Sequence, residues 1–221
     1  MINKGTFAKD FPVVCVGGSA GGLDAYTRLL QHLPIDLGVA IVIVNHVRTV
    51  PTTLLHEILP HYTNMPVELI TERLRLQPNH VFIIPPKHDL HVLDGEFRLK
   101  PISKPRGWPD VITVFLRSLT QHWDGKLIAV IVSGFDCDGA AGLSGIKEVD
   151  GITIAQKLDT AVQPDMPESA IASGCIDFVL SPEHIARELV QIAHARTTKL
   201  YGQTKKRLTQ NKVERIRLKL K

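Results

Sequence analysis

Short apolar runs alternate with amphipathic stretches over most of the chain, from residue 13 to residue 195. The runs are rich in Val, Ile and Ala, which is typical of parallel strands that are covered on both faces. Strands are therefore predicted at Val13–Val16, Val39–Val44, Val81–Ile84, Leu127–Val132, Ile152–Ala155 and Ile176–Leu180.

The segments between these runs have the apolar spacing of amphipathic helices. Asp110 is predicted to cap one of them, and Pro60 is predicted to end another. One predicted helix follows Gly22. The others cover Thr52–Leu59, Asp110–Trp123, Ala140–Glu148, Pro167–Ser173 and Pro182–Ala195. This alternation predicts the α/β class, as a doubly wound, mostly parallel sheet with helices on both faces.

One pair of apolar runs is joined by a turn signal instead of a helix. Asp94-Gly95 lies between His91–Leu93 and Glu96–Leu99. This dipeptide favours the left-handed backbone of a two-residue hairpin turn. A β-hairpin is therefore predicted near residues 91–99.

Composition favours a cytoplasmic protein without membrane insertion. No apolar run approaches the ~20 residues that a membrane helix needs, and residues 1–10 lack the apolar segment of a signal peptide. The three cysteines, Cys15, Cys137 and Cys175, form no C-x-x-C pair, so a disulfide framework is not expected. The 44% hydrophobic and 22% charged residues are ordinary for a globular domain.

Basic charge is concentrated at the carboxyl terminus. Residues 199–221 contain nine Lys or Arg against one Glu, while the rest of the chain is mildly acidic. We therefore predict a domain over residues 1–198 and a solvated basic tail over residues 199–221, with no nucleic acid as an expected partner. Docking of the tail on an acidic surface is a secondary hypothesis.

Three polar segments follow predicted strands at the edge of the sheet where ligands bind in such folds. Ser19 lies in a G-x-S-x-G sequence after the first strand, His46 follows the second, and Asp136 and Asp138 follow Leu127–Val132. A serine nucleophile, a histidine base and a carboxylate are the set that a Ser-His-Asp relay requires. Asp138 is preferred as the carboxylate, with Asp136 as its competitor.

Simpler roles are available for the same residues. The glycines around Ser19 could open a dinucleotide site, although no acidic residue ends the next strand. His46 could be structural, and Asp138 could cap the helix predicted from Ala140. The pairs His88/His91 and His56/His61 have no third ligand nearby in sequence, so no metal site and no cofactor are expected.

Several segments together resemble the catalytic domain of the chemotaxis protein-glutamate methylesterase (CheB) family. The resemblance covers residues 12–195 and is specific in the order of its motifs. The matching segments are Gly17-Gly18-Ser19-Ala20-Gly21-Gly22, Asn45-His46, Val81-Phe82-Ile83-Ile84-Pro85-Pro86, Gly134-Phe135-Asp136-Cys137-Asp138-Gly139-Ala140-Ala141-Gly142, Ile154-Ala155-Gln156 and Met166-Pro167-Glu168-Ser169-Ala170.

The resemblance implies a function and a role for each site residue. Ser19 would be the nucleophile, His46 the general base and Asp138 the orienting carboxylate, and the backbone N–H groups of Phe135 and Ala20 would stabilise the oxyanion. The implied reactions are hydrolysis of glutamate γ-methyl esters, and deamidation of glutamine, on the cytoplasmic helices of methyl-accepting chemoreceptors.

The sequence also departs from the family pattern. The family usually carries an amino-terminal receiver domain, but only about ten residues precede the first strand here, so we expect either a stand-alone enzyme or one whose regulation lies on another chain. Asp136 and Cys137 stand where the family has Gly and Asn or Ser. If the glycine position needs a positive φ, Asp can adopt it at modest cost. Changes in the recognition segments motivate an alternative, a catalytically silent scaffold that binds a receptor or signalling partner.

Overall fold

The computed structural model describes residues 11–46, 54–104 and 109–195. The predicted basic tail at 199–221 lies outside these residues, as do Thr52 and Thr53 of one predicted helix.

A seven-stranded sheet with entirely parallel pairing forms the centre of the fold, in the order β3-β4-β2-β1-β7-β8-β9, and β5 and β6 form a separate antiparallel hairpin. The strands are β1 (Val13–Gly18), β2 (Ala40–Asn45), β3 (Val67–Leu69), β4 (His80–Ile83), β5 (His88–Leu93), β6 (Glu96–Pro101), β7 (Leu127–Ile131), β8 (Ile152–Gln156) and β9 (Phe178–Leu180).

Helices connect the parallel strands. They are α1 (Gly22–Leu30), α2 (Leu55–Ile58), α3 (Val111–His122), α4 (Leu143–Glu148), α5 (Asp165–Ala172) and α6 (182–195). Short 3₁₀ turns lie at Leu59–Tyr62, Ala140–Gly142 and Leu158–Thr160. No helix within the described ranges is long and apolar enough to cross a membrane.

The central strands β1, β2 and β7 are buried on both faces of the sheet, and their successive side chains point into opposite cores. On β1, Val13 and Cys15 join the core that contains α3, α4, α5 and the hairpin. Val14 and Val16 join the opposite core, which contains α1, α2 and α6. The continuous apolar character of the strands, from which the parallel sheet was predicted, is therefore explained by two cores instead of one.

The hairpin closes one core against α3. Phe97 of β6 is fully buried, with its ring centroid 5.1 Å from that of Phe82 and 6.4 Å from that of Phe115. The Ser118 hydroxyl of α3 accepts a hydrogen bond from the backbone N–H of Val92, at 2.9 Å. The hairpin therefore contributes buried apolar side chains to the core that contains α3.

The fold class and the hairpin near 91–99 are confirmed, and most predicted elements agree to within a few residues. β3 was not predicted, because a three-residue strand of half-buried Val-Glu-Leu has no clear apolar pattern. The α-helix ends before Pro60, as predicted, although the chain continues through this residue as a 3₁₀ turn. Proline is tolerated there because the first turn needs no N–H from that residue.

The prediction that Asp110 caps α3 is wrong. Asp110 occupies the position before the helix, but its side chain makes no capping hydrogen bond to α3. The carboxylate of Asp138, in the loop after β7, takes that role.

Candidate active site

The carboxyl ends of three adjacent strands, β2, β1 and β7, bring the predicted site residues to one edge of the sheet. Backbone hydrogen bonds continue past the strand ends. The N–H of His46 donates to the Gly18 carbonyl at 2.8 Å, and the N–H of Ser19 donates to the Ser133 carbonyl at 2.9 Å. The loops after the three strands are therefore held in register, and their side chains meet because the strands are parallel.

Ser19 lies between the end of β1 and the start of α1, as the G-x-S-x-G sequence predicts. Its hydroxyl donates a hydrogen bond to the backbone carbonyl of His46, with an Oγ-to-oxygen distance of 2.7 Å. The hydroxyl thus contacts the residue predicted to activate it, through the main chain. Within the described residues, the hydroxyl forms no hydrogen bond to the imidazole ring itself.

Gly134 lets the loop after β7 approach the nucleophile closely. A Cβ atom added to Gly134 would lie 2.0 Å from Met166 Sδ and 2.9 Å from Ser19 Cβ. Met166 is fully buried, so its side chain has little room to move away. Only glycine fits this position without displacing either neighbour.

The imidazole of His46 is buried, and its side chain is 1% exposed. Its Nδ1 lies 2.8 Å from Oδ2 of Asp136, which is ion-pair distance, although the angle is not that of a well-formed hydrogen bond. Its Nε2 has no hydrogen-bond partner among the residues that the structure describes. One ring nitrogen therefore faces a carboxylate and the other is available to act as a base.

Asp138, the carboxylate preferred from sequence, holds the amino terminus of α3. Its Oδ2 accepts a hydrogen bond from the N–H of Ile112 at 2.9 Å. Its Oδ1 accepts from the N–H of Thr113 at 3.0 Å and from the Thr113 hydroxyl at 2.9 Å. Asp138 thus satisfies two N–H groups that have no partner within the helix, which is why α3 needs no cap from Asp110.

Burial dominates the electrostatics of Asp138. Loss of water raises the pKa of its carboxyl, and the hydrogen bonds from Ile112 and Thr113 oppose that rise. The charge of a nearby His46 also favours the ionised form. Asp138 is thus close enough to act on His46 through its field, while its oxygens are bound to α3. Its role as the orienting carboxylate stays a prediction.

Asp136 has the left-handed backbone that its position demands, with φ at 77°. Its Oδ1 accepts a hydrogen bond from the N–H of Asp138 at 2.7 Å, which closes a tight turn around the loop. Its Oδ2 is the atom that contacts His46. The family's glycine position therefore has a positive φ here, as the sequence comparison allowed, and Asp occupies it with a local hydrogen bond.

Two backbone N–H groups near Ser19 are available for an oxyanion. Those of Ala20 and Phe135 have no hydrogen-bond acceptor within the described part of the chain. Ala20 directly follows the nucleophile, and Phe135 directly follows Gly134, which lies against it. Their role as oxyanion donors stays a prediction that this arrangement supports.

A buried polar network, which sequence reasoning missed, supports the loops. The Ser133 hydroxyl donates to the Ala20 carbonyl at 2.8 Å and accepts from the N–H of Gln163 at 2.9 Å. The N–H of Ser133 donates to the side-chain oxygen of Gln156 at 2.9 Å. The only sequence signal was the place of Gln156 at the end of a strand, since these partners lie up to 113 residues apart.

The simpler roles that the sequence left open for these residues and for the histidine pairs can be compared with the contacts in the structure. No group of three or more His, Cys, Asp or Glu in residues 11–46, 54–104 and 109–195 is arranged to hold a metal ion. The Nδ1–H of His88 donates to the Pro86 carbonyl at 2.8 Å, a local turn contact. Asp138 caps α3 instead of the helix that follows Ala140.

Comparison with known proteins identifies the family of this chain. The family model described as CheB methylesterase matches residues 14–189. A protein of Burkholderia thailandensis named protein-glutamate methylesterase/protein-glutamine glutaminase 4 is 34% identical over 183 residues, which is 82% of this chain and 53% of the relative. This chain thus spans about half the length of that relative.

Two other matches extend over most of the matching protein. A Leptospira interrogans protein named putative protein-glutamate methylesterase/protein-glutamine glutaminase is 31% identical over 83% of this chain and 95% of its own length. The crystal structure of the Thermotoga maritima CheB methylesterase catalytic domain matches with a TM-score of 0.76 and 27% identity, over 81% of this chain and 97% of the other. On this evidence the chain belongs to the CheB methylesterase family.

Proposed function

We propose that this protein is a serine hydrolase that removes methyl groups from glutamate γ-methyl esters and deamidates glutamine side chains. Its substrates are the cytoplasmic helices of methyl-accepting chemoreceptors, and its place of action is therefore the cytoplasm. One observation carries the proposal. The hydroxyl of Ser19 donates to the main-chain carbonyl of His46 at the carboxyl edge of the sheet, and the N–H groups of Ala20 and Phe135 have no acceptor within the described residues.

In the first half of the reaction, Ser19 attacks the ester. Its Oγ forms a bond to the ester carbonyl carbon while its proton passes to Nε2 of His46, the ring nitrogen that has no partner within the described residues. The negative charge that develops on the carbonyl oxygen is stabilised by the N–H groups of Ala20 and Phe135. The imidazolium then gives its proton to the methoxy oxygen, the carbon–oxygen bond breaks, and methanol leaves.

In the second half, water takes the place of the serine. His46 removes a proton from the water, whose oxygen bonds to the acyl carbon and forms a second oxyanion. The proton passes to Ser19 Oγ as the acyl bond breaks, which releases a glutamate side chain and restores the enzyme. With a glutamine substrate the same sequence releases ammonia in place of methanol.

Carboxylates near His46 support both proton transfers, because each transfer makes the ring positively charged. Asp138, at the position that the resemblance assigns to the orienting residue, contributes negative charge near the ring while it holds α3. In this proposal its removal weakens both the field at His46 and the anchoring of the helix.

The test is methanol release from methylated cytoplasmic fragments of chemoreceptors, with ammonia release from glutamine-containing fragments as a second assay. Wild-type protein is expected to release both products. Ser19→Ala is expected to reduce the rate by at least about 10³-fold, since it removes the nucleophile. Ser144→Ala is the matched control, because Ser144 is an exposed serine on α4, away from the site.

Retention of activity in Ser19→Ala would contradict the proposed mechanism. Absence of release from folded wild-type protein, with several receptor fragments, would instead favour the scaffold that the sequence left as the alternative. Binding of the same fragments without hydrolysis is then the expected behaviour.

A further inference from the structure

Two carboxylates lie beside His46, and they differ in how their oxygen atoms are used. Both oxygens of Asp138 are occupied by donors of α3, from Ile112 and Thr113. Asp136 uses Oδ1 for the N–H of Asp138, and its Oδ2 is 2.8 Å from Nδ1 of His46. The oxygen that touches the imidazole therefore belongs to Asp136.

We propose that Asp136 is the positioning residue for His46, whereas Asp138 anchors α3 and acts on the ring only through its charge. This inference rests on the proposed function, since it assigns a role within the same reaction. It concerns a position at which this chain departs from the family pattern, since Asp136 stands where the pattern usually has glycine.

The contact determines which ring nitrogen holds the proton. A carboxylate oxygen is an acceptor, so the neutral imidazole places its proton on Nδ1, towards Asp136. Nε2 is then left with a free lone pair, as a general base requires. When the ring gains a second proton from Ser19, the carboxylate of Asp136 also stabilises the resulting charge at short range.

Burial makes this arrangement effective. The side chain of His46 is 1% exposed and that of Asp136 is 13% exposed, so little water competes for the contact. Neither Nδ1 of His46 nor Oδ2 of Asp136 forms a well-shaped hydrogen bond to any other described residue. A buried polar atom without a partner destabilises the fold. The contact between Nδ1 of His46 and Oδ2 of Asp136 gives each atom an electrostatic partner.

The backbone of Asp136 shows that the carboxylate has a cost. A φ of 77° is uncommon for a residue other than glycine. The family's glycine adopts it without strain. An aspartate here costs conformational energy, and the two contacts of its side chain offset that cost.

The first experiment reads the proton position directly by ¹⁵N NMR of the histidine ring, with His46→Asn used to assign the signals. In wild-type protein the neutral ring is expected to be protonated at Nδ1. Asp136→Asn and Asp136→Gly are expected to reduce the Nδ1-protonated fraction, because no carboxylate then faces that nitrogen. Asp138→Asn is expected to leave the proton on Nδ1 and to lower the unfolding temperature, because the α3 anchor is weakened.

The second experiment measures methanol release by the same variants. Asp136→Asn is expected to lower kcat at least about tenfold with KM changed less than about twofold, since the carboxylate acts on the base and not on the substrate. Asp150→Asn and Asp150→Gly are the matched controls. Asp150 is exposed and also has a positive φ, 55°, in the turn between α4 and β8.

Two results would overturn the assignment. One is an unchanged ring proton in both Asp136 variants, and the other is a proton that leaves Nδ1 in folded Asp138→Asn. A wild-type protein that releases no methanol would contradict the proposed function alone, because the NMR experiment still decides which carboxylate orients His46. Circular dichroism melts establish that each variant is folded.

Discussion

Two regions of the molecule lie against α3: the loop after β7 (residues 132–139) and the β5–β6 hairpin (residues 88–101). They contact the helix through different kinds of interaction. The hairpin is a regular antiparallel strand pair that packs on α3 through buried rings such as Phe97. The loop contacts it through the carboxylate of Asp138, with positive φ at Asp136 and Gly139. Burial of apolar side chains stabilises the hairpin. The loop instead contains strained backbone and buried polar groups, which hold the site residues in place.

The largest expected effect is on the stability of the hairpin region. Phe97→Ala removes a fully buried ring that packs on two other aromatic rings, so it leaves a cavity. The free energy of unfolding is expected to fall by about 3–5 kcal/mol. Urea denaturation measures this change, and Leu93→Ala, at an exposed site in the same hairpin, is the control.

The same Phe97→Ala variant also tests the contrast between the regions. Where it remains folded, methanol release per folded molecule is expected to stay within about twofold of wild type. A loss of activity far beyond the unfolded fraction would mean that the hairpin also positions the site.

The second effect is on activity and comes from the loop. Gly134→Ala places a methyl group against Met166 Sδ and Ser19 Cβ, so the loop or the nucleophile must shift. We expect kcat/KM to fall about tenfold to a hundredfold, equivalent to about 1.4–2.7 kcal/mol. The assay is methanol release at several substrate concentrations.

The control for this change is Gly145→Ala. In that variant the new methyl group would lie 3.7 Å from Thr120 Cγ2, which is ordinary contact, and alanine favours the helix. Activity equal to wild type is expected from Gly145→Ala. Equal activity from Gly134→Ala as well would show that the close approach of the loop is not needed.

The smallest expected effect is on the pH dependence of stability, and it comes from an ion pair outside both regions. Nε of Arg28 in α1 lies 2.7 Å from Oε1 of Glu183 in α6. The guanidinium lowers the pKa of Glu183 from its ordinary 4.5 to about 2. This pair therefore contributes stability above pH 4.5, and the contribution is lost as pH falls towards 2, because the unfolded chain binds the proton first.

Glu183→Gln is expected to lower stability at pH 7 by up to about 1 kcal/mol and to flatten the loss of stability between pH 4.5 and 2. Thermal melts across that range measure both. Glu188→Gln, on the same helix and in no ion pair among the described residues, is the control. An acid limb identical to wild type in Glu183→Gln would assign that stability elsewhere.

Much of the fold could be predicted, because its signals are local. Residues 40–44 form a run of apolar, mostly β-branched side chains, and such a run predicts a strand covered on both faces. Asp94-Gly95 predicts its turn for a similarly local reason. β3 was missed, since its placement depends on pairing with β4 and not on its own three residues.

The site could be predicted only as far as topology determines it. Ser19 and His46 follow neighbouring parallel strands, so their proximity follows from the strand order. The network around Ser133 and the capping of α3 by Asp138 join residues more than 20 positions apart, and no local pattern marks them.

Local sequence patterns predict the strand–helix alternation, the edge where the polar residues gather and the candidates for nucleophile and base, because these follow from periodicity and from residues at strand ends. Distinguishing Asp136 from Asp138 as the carboxylate that contacts His46 requires the three-dimensional path of the loop. The two lie two positions apart in an irregular loop, where no periodicity sets the direction of a side chain. The direction of Asp138 depends on the first N–H groups of α3, those of Ile112 and Thr113, which bind its two oxygens.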